Sequence, residues 1–239
     1  MRLISLACFP SAFILAGCNS AVFSPPARPL PLESAATLPR GDTGIQAEGS
    51  ANPEVLGPNV LAGSVRVRHG LTDDVDVEVG GSVMHVAADT KREVPVSTGI
   101  YAARGGAKVR LASPLAITAG FGGGYSAGGA FVSPDVGPVL AWENPYCVPF
   151  LATRFGVSLP ISPRAVDTSE AQDGSRAHRP HATWILTAIG GVRVPLGWSE
   201  SPKGKVRGSV LAGLGMSHLV DDRTSADFVH LALGGEVVF

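Results

Sequence analysis

Apolar and polar residues alternate strictly in the sequence Val75-Asp76-Val77-Glu78-Val79-Gly80-Gly81-Ser82-Val83. Successive side chains of an extended strand point to opposite faces, so the valines share one face and the carboxylates share the other. The preceding residues 61–68 alternate in the same way and put Arg66 and Arg68 on the polar face. A short connection, Gly70 to Asp73, separates the two runs. The sequence therefore predicts a β-hairpin with one apolar face.

The same alternation recurs along the chain and predicts ten strands. They span about 43–51, 59–69, 74–86, 98–112, 114–125, 129–142, 147–159, 182–196, 205–218 and 227–239. The connections alternate between a longer set (51–58, 87–97, 126–128, 160–181 and 219–226) and a shorter set (70–73, 113, 143–146 and 197–204). Short turns at one end and longer loops at the other are typical of outer-membrane β-barrels. The predicted fold class is all-β, an up-and-down antiparallel transmembrane β-barrel of about ten strands over residues 41–239.

Composition supports a membrane barrel and excludes other classes. Only 16% of the 239 residues are charged, which is low for a solvated surface. A net charge of −1 gives no reason to expect a nucleic-acid partner. After residue 18 there is no unbroken apolar run of the length that a transmembrane helix needs. Alternation alone leaves a soluble, lipocalin-like barrel open, with its apolar face inward around an apolar ligand.

The start of the chain predicts export. An apolar run follows Arg2 and ends at Leu15-Ala16-Gly17-Cys18, which resembles the signal of bacterial lipoproteins. The resemblance implies a signal peptide over residues 1–17, lipidation (palmitate included) at Cys18, and the lipoprotein-processing machinery as a partner. Asn19, in place of Asp, favours the outer membrane. The alternative is an ordinary signal cleaved near Ala21.

Residues 18–40 contain five prolines and predict an extended, lipid-anchored tether that leads to the barrel. An even number of strands places both ends of the barrel on one side, and an anchor in the inner leaflet makes that side periplasmic. Once Cys8 is removed with the signal and Cys18 is lipidated, Cys147 stands alone, which excludes a disulfide framework.

The chain ends in an alternating strand with Leu231, Leu233, Val237 and Phe239 on one face. Such a strand with a terminal Phe resembles the assembly signal of bacterial outer-membrane proteins. The resemblance implies that Phe239 is part of this signal. It also implies outer-membrane lipid and the outer-membrane assembly machinery as partners, and the outer membrane of a Gram-negative bacterium as the location.

The polar face of the first hairpin predicts a charge cluster in the lumen, formed by Arg66, Arg68, Asp74, Asp76 and Glu78. Opposite charges on neighbouring strands stabilise a sheet, and an unpaired charge inside a barrel is costly. The cluster is interpreted as structural filling, with a selectivity lining as the alternative.

Other polar and aromatic residues are candidates for catalysis, metal binding or a place at the membrane interface. Omptins, which are ten-stranded outer-membrane proteases, work with Asp and His at the rim. Counterparts here would be His85 with Asp89, and His218 with Asp221 and Asp222, although neither group reproduces an omptin motif. His178 and His181 are weak metal-ligand candidates, and Trp142, Tyr146, Trp184 and Trp198 suit membrane interfaces.

These features predict a protein without a cofactor or metal, and not an enzyme. The expected function is that of a lipid-anchored outer-membrane β-barrel, structural or loop-presenting, with a largely filled lumen. A narrow pore or small-solute carrier, the lipocalin-like barrel and an omptin-like hydrolase remain alternatives.

Overall fold

The computed structural model describes residues 23–52, 59–87, 98–167, 177–201, 204–223 and 225–239. Their strands are β1 (Thr43–Asn52), β2 (Val60–Thr72), β3 (Val75–Val86), β4 (Thr98–Ala112), β5 (Leu115–Ser126), β6 (Gly129–Ala141), β7 (Val148–Pro163), β8 (Val166–Asp167), β9 (Ala177–His178), β10 (Thr183–Ser201), β11 (Gly204–Val220) and β12 (Ser225–Val238). In the described part of the chain, no helix is long and apolar enough to cross a membrane.

Ten of these strands form a closed barrel in which each strand is antiparallel to its neighbours. The order around the barrel is β1-β12-β11-β10-β7-β6-β5-β4-β3-β2, which is up-and-down, and β8 and β9 form a separate small hairpin. The predicted fold class and the strand count are therefore confirmed. The strand bounds agree with the sequence pattern to within a few residues, because period-two alternation persists as far as each strand is paired.

The barrel closes where the first strand meets the last. β1 pairs with β12 from Gly44↔Val238 to Ala51↔Leu231. Beyond that register, Thr43 and Phe239 exchange two backbone hydrogen bonds of 2.9 Å each. Closure leaves no unpaired strand edge, which is the condition for crossing a bilayer with strands.

The two ends of the barrel differ in their connections. At one end, two to six residues separate consecutive strands, as between Thr72 and Val75 or between Ala141 and Val148. At the other end the β7–β10 connection includes the small hairpin, and the β3–β4 connection runs from Ala87 to residue 97. We call these the short-turn end and the long-loop end.

The apolar face of the barrel is its outer face. Val79, Val83 and Leu231 are 62%, 53% and 56% exposed, whereas Asp76 on the opposite face is fully buried. A soluble barrel has the reverse polarity, with charges outside and apolar side chains inside. An apolar outer surface is stable only in lipid, so the barrel has the polarity of a membrane-spanning protein.

The N-terminal segment does not lie where the sequence predicts. Residues 23–40, expected to be a tether outside the barrel, run through the lumen, and Leu30, Leu32 and Glu33 are at most 2% exposed. We call residues 24–38 the plug. Because of this path, Phe23 lies at the long-loop end beside His181, opposite Phe239 at the short-turn end. The ends of β1 and β12 share one side, as an even strand count requires, but the segment before β1 returns to the other side.

The polarity makes a prediction for cysteine labelling. In a Cys147→Ser background, Val83→Cys should react with a lipid-soluble maleimide, because Val83 faces outward in the apolar band. Ser82→Cys should not react with it, since Ser82 is buried and faces the lumen. Membranes carrying the Cys147→Ser protein alone give the blank. Reaction at position 82 without reaction at position 83 would mean that the polar face, and not the apolar face, contacts lipid.

Candidate functional site: the plugged lumen

The plug is attached to the wall at the short-turn end. The Thr37 hydroxyl donates to the Asp73 carbonyl at 2.6 Å, and the Leu38 N–H donates to Asp76 Oδ2 at 3.2 Å. A Cβ on Gly70 would lie 2.1 Å from the Pro39 carbonyl oxygen, so only glycine lets the plug pass here. The chain then enters β1 directly, since the Gly41 N–H donates to the Gly70 carbonyl at 2.8 Å.

The plug is also attached at the long-loop end. The Ser24 N–H donates to Thr183 Oγ1 at 3.0 Å, and the Ser24 and Ser158 hydroxyls are 2.7 Å apart. Ser158 Oγ also lies 2.7 Å from the Pro25 carbonyl and donates to it. The side chains of Ser24, Ser158 and Thr183 are all buried. The plug is therefore attached at both ends of the barrel.

Glu33 lies at the centre of the lumen and is surrounded by arginines. Its carboxylate pairs with Arg66 of β2 at 3.3 Å, with Arg28 of the plug at 3.6 Å, and with Arg154 of β7 in a closer contact. Arg66 and Arg154 come from strands that are not neighbours in the barrel. Glu33 thus joins separate parts of the wall through the plug.

Other charged residues of the wall pair with one another. Arg104 donates to both carboxylate oxygens of Asp135, at 2.6 and 2.7 Å, and also contacts Glu78. Arg68 bridges Asp76 at 2.5 Å and Glu236 at 2.8 Å. Buried carboxylates and guanidinium groups are tolerated only when paired in this way.

Wall side chains also satisfy the backbone of the plug. An extended proline-rich segment makes no internal backbone hydrogen bonds, so its buried carbonyls need other donors. The Leu32 carbonyl accepts from Arg66 Nη2 at 2.8 Å and from Gln46 Nε2 at 2.7 Å. Ser82 Oγ and Lys108 Nζ donate to the carbonyls of Ala27 (2.9 Å) and Ser34 (3.2 Å).

The lumen also contains a buried apolar cluster. Leu30, Leu32 and Ala35 of the plug belong to one buried cluster with wall residues Ala116, Val139, Ala141, Val148, Phe150, Ala152, Ile189, Leu211 and Ala232. Burying a leucine side chain stabilises a fold by about 1.5–3 kcal/mol. The plug thus contacts charged groups of the wall through Glu33 and an apolar cluster through Leu30, Leu32 and Ala35.

Inward-facing glycines leave room for the plug. A Cβ on Gly122 would lie 2.4 Å from Ala27 Cβ, and a Cβ on Gly213 would lie 2.9 Å from Leu32 Cδ2. Three cavities lined by plug and wall residues have volumes of about 10, 20 and 20 Å³. A cavity of this size has space for about one water molecule, far less than a solute pathway needs.

The structure separates the residues of the predicted charge cluster. Arg66, Arg68, Asp76 and Glu78 have their side chains in the lumen. Asp74 does not belong with them, because it lies in the β2–β3 turn and pairs with exposed Arg110 at 2.7 Å. Sequence reasoning missed Glu33, Arg28 and Asp135 as members. The inward glycines and the apolar Leu30 and Leu32 within a proline-rich segment were signals that the lumen has a partner.

The rim residues form no omptin-like group in the described part of the chain. His85 faces outward and Asp89 lies outside the described residues. His218 Nδ1 lies 2.8 Å from Asp227, across the β11–β12 pair, rather than from Asp221 or Asp222. Asp222 instead pairs with His181 at 3.3 Å. No group of three or more His, Cys, Asp or Glu side chains that would suit a metal occurs among the described residues.

Other predicted residues lie as follows. Cys18 is outside the described residues. Cys147 is exposed and unbridged. Trp142, Tyr146 and Trp184 are 56%, 82% and 51% exposed, and Trp184 stacks on Phe155 with ring centroids 5.5 Å apart. Trp198 belongs to β10, and its side chain is outside the described part. Phe239 is half exposed next to the closing pair of strands.

Comparison with known proteins gives the following similarities. No protein-family model matches the sequence, and no curated protein matches it. Solved structures that resemble it include the β domain of the Bordetella autotransporter BrkA, with 8% identity, coverage of 83% of this chain and 98% of that chain, and a TM-score of 0.44. Neisserial surface protein A has 11% identity, coverage of 82% and 94%, and a TM-score of 0.39. The N-terminal β-barrel domain of Pseudomonas aeruginosa OprF has 11% identity, coverage of 84% and 98%, and a TM-score of 0.36. These TM-scores are all below 0.5, so nothing about the function of this chain follows from them.

Two aspartates of one hairpin provide a matched test of the lumen network. Asp76→Asn should lower the free energy of unfolding by about 3 kcal/mol, because it leaves buried Arg68 and Lys108 with less compensating charge. Asp74→Asn should change it by less than about 1 kcal/mol, because the pair with Arg110 is exposed. Urea unfolding in detergent, followed by heat-modifiable gel mobility, measures both. An equal loss of unfolding free energy in the two variants would contradict the placement of Asp76 in the lumen.

Proposed function

We propose that the protein is a structural, loop-presenting β-barrel of the bacterial outer membrane, anchored by lipid at Cys18 and closed by its own plug. The observation that carries the proposal is the plug itself, which is buried in the lumen and bonded to the wall along its length. Because the chain itself fills the lumen, the outer surface and the loops are the parts of the barrel that can contact other molecules. The apolar outer face supports the membrane location, and the lipoprotein-like signal supports export to the outer membrane.

The competing functions each lack a site in the described residues. An apolar ligand needs an apolar lumen, whereas this lumen contains paired charges and the plug. A rim hydrolase needs a nucleophile or an activated water between its polar groups. The pairs His218–Asp227 and His181–Asp222 are separate, partly exposed ion pairs without a third member.

A closed lumen predicts the absence of conductance. The full-length protein in planar bilayers should give no discrete current steps, because the cavities between the described plug and wall residues hold about one water each. Deletion of residues 24–37 should give steps if the barrel still shows heat-modifiable mobility, since the lumen then fills with water. Steady channels from the full-length protein would contradict the proposal and favour a narrow pore.

Lipidation has its own test. Cys18→Ser should abolish metabolic labelling with palmitate and leave a precursor that retains residues 1–17, because the processing enzymes act on the lipidated cysteine. Cys147→Ser is the matched control and should label normally, since Cys147 is an exposed turn residue. Labelling that persists in the Cys18→Ser protein would rule out the anchor at this position.

We also propose that Phe239 acts in assembly. Its backbone makes the last hydrogen bonds of the closing strand pair, with Thr43, and its ring projects from the outer face. A residue at this place is the end of the strand that must meet β1 before the barrel can close. Assembly machinery that recognises the last strand would find the ring accessible.

A further inference from the structure

The direction of the plug in the barrel has a consequence for the N-terminus. Ser24 and Pro25 bond to Ser158 and Thr183, which lie at the long-loop end of β7 and β10. Thr37 and Leu38 bond to residues at the short-turn end. The chain therefore enters the lumen from the long-loop end and leaves it at the short-turn end, where β1 begins. In outer-membrane barrels the longer loops are extracellular and the short turns are periplasmic.

The reach of the chain limits where Cys18 can lie. Four residues lie between Cys18 and Phe23, so the chain takes five residue steps from one to the other. A fully extended chain covers at most about 3.6 Å per residue, which gives a reach of about 18 Å. The apolar band of such barrels is about 25 Å tall. From Phe23, Cys18 cannot reach the periplasmic leaflet, and the lumen that leads there is already occupied by the plug. A reach of about 18 Å is enough to cross the wall at the long-loop rim, because a sheet is about 10 Å thick.

We propose that the N-terminus emerges on the cell surface and that the acyl chains of Cys18 insert into the outer leaflet of the outer membrane. This inference rests on the proposed function, because it requires the membrane barrel and, for the acyl chains, the lipidation of Cys18. The protein is then a surface lipoprotein that threads its N-terminal segment through its own barrel. This is the opposite of the inner-leaflet anchor expected from the sequence.

Burial of the plug in the lumen stabilises this topology. Withdrawing the plug would separate Glu33 from its two wall partners, Arg66 and Arg154, and leave the Leu32 carbonyl without its two donors. Removing one partner from a buried ion pair is strongly destabilising, because the charge that remains is buried without compensation. An acylated N-terminus on the outside would in addition oppose withdrawal toward the periplasm, since lipid chains do not pass a filled lumen.

Epitope tags test the topology on intact cells. One tag is inserted between Ser20 and Ala21 in the full-length chain, a second between Glu143 and Asn144 in the β6–β7 turn, and a third between residues 170 and 171 in the long β7–β10 connection. Antibody should label the first and third tags equally before and after permeabilisation. The second tag should be labelled only after permeabilisation.

The outcomes distinguish this inference from the proposed function. If the tag after Ser20 is hidden on intact cells while the tag at 170 is labelled, the surface N-terminus is wrong and the barrel orientation stands. If the tags at 143 and 170 do not fall on opposite sides of the membrane, the membrane barrel itself fails. Surface labelling after Ser20 without palmitate incorporation would retain the exposed N-terminus and overturn the outer-leaflet anchor.

A disulfide test checks the threading without a tag. In a Cys147→Ser background, Ser24→Cys with Ser158→Cys should form a disulfide on mild oxidation, because the two hydroxyl oxygens are 2.7 Å apart. Ser24→Cys with Ser209→Cys is the matched control, since Ser209 is also buried but lies near Glu236 at the short-turn end. Mass spectrometry of the folded protein should find only the first bond. Bonding of position 24 to position 209 would mean that the plug runs in the opposite direction.

Discussion

The carboxylate of Glu33 is the charge on which the arrangement of the lumen depends. It is buried, it belongs to the plug, and it contacts arginines from β2 and β7 as well as Arg28. Without the plug, Arg66 would retain Glu78 and Arg154 would retain Asp135, but both guanidinium groups would lose a partner. Buried charges of the plug and of the wall therefore depend on each other for ion-pair partners.

This arrangement reconciles a polar lumen with the absence of an open channel. A barrel of ten strands is slightly wider than one that wall side chains alone can fill. Here a strand-like segment of the same chain occupies the excess width. Small residues on the inner face, Gly122 and Gly213 among them, bring the backbone of the wall close to Ala27 and Leu32.

The plug also decides at which end of the barrel Phe23 lies. An even number of strands places the start of β1 and the end of β12 at the same end of the barrel, where Thr43 pairs with Phe239. It has no bearing on a segment that turns back into the lumen before β1. The contacts of Ser24 with Ser158 and Thr183 are what assign Phe23 to the long-loop end.

The sequence by itself determined the strands, the hairpin connections and which residues share a face of the wall, and the structure showed that the apolar face is the outer one. Alternation such as Val75 to Val79 is a local property, because each side chain's face follows from its position in an extended strand. The pairing of Arg66, Arg68, Asp76 and Glu78 in the lumen followed from the same alternation, whereas Asp74 fell outside because β3 begins one residue later than the pattern suggested. Only the tertiary structure decided the place of residues 23–40. A proline-rich segment has the same extended backbone in a solvated tether as in a barrel lumen, so its local conformation contains no information about its surroundings. Its place depends on contacts between residues far apart in the chain, such as Glu33 with Arg154 and Ser24 with Thr183, which no local pattern specifies.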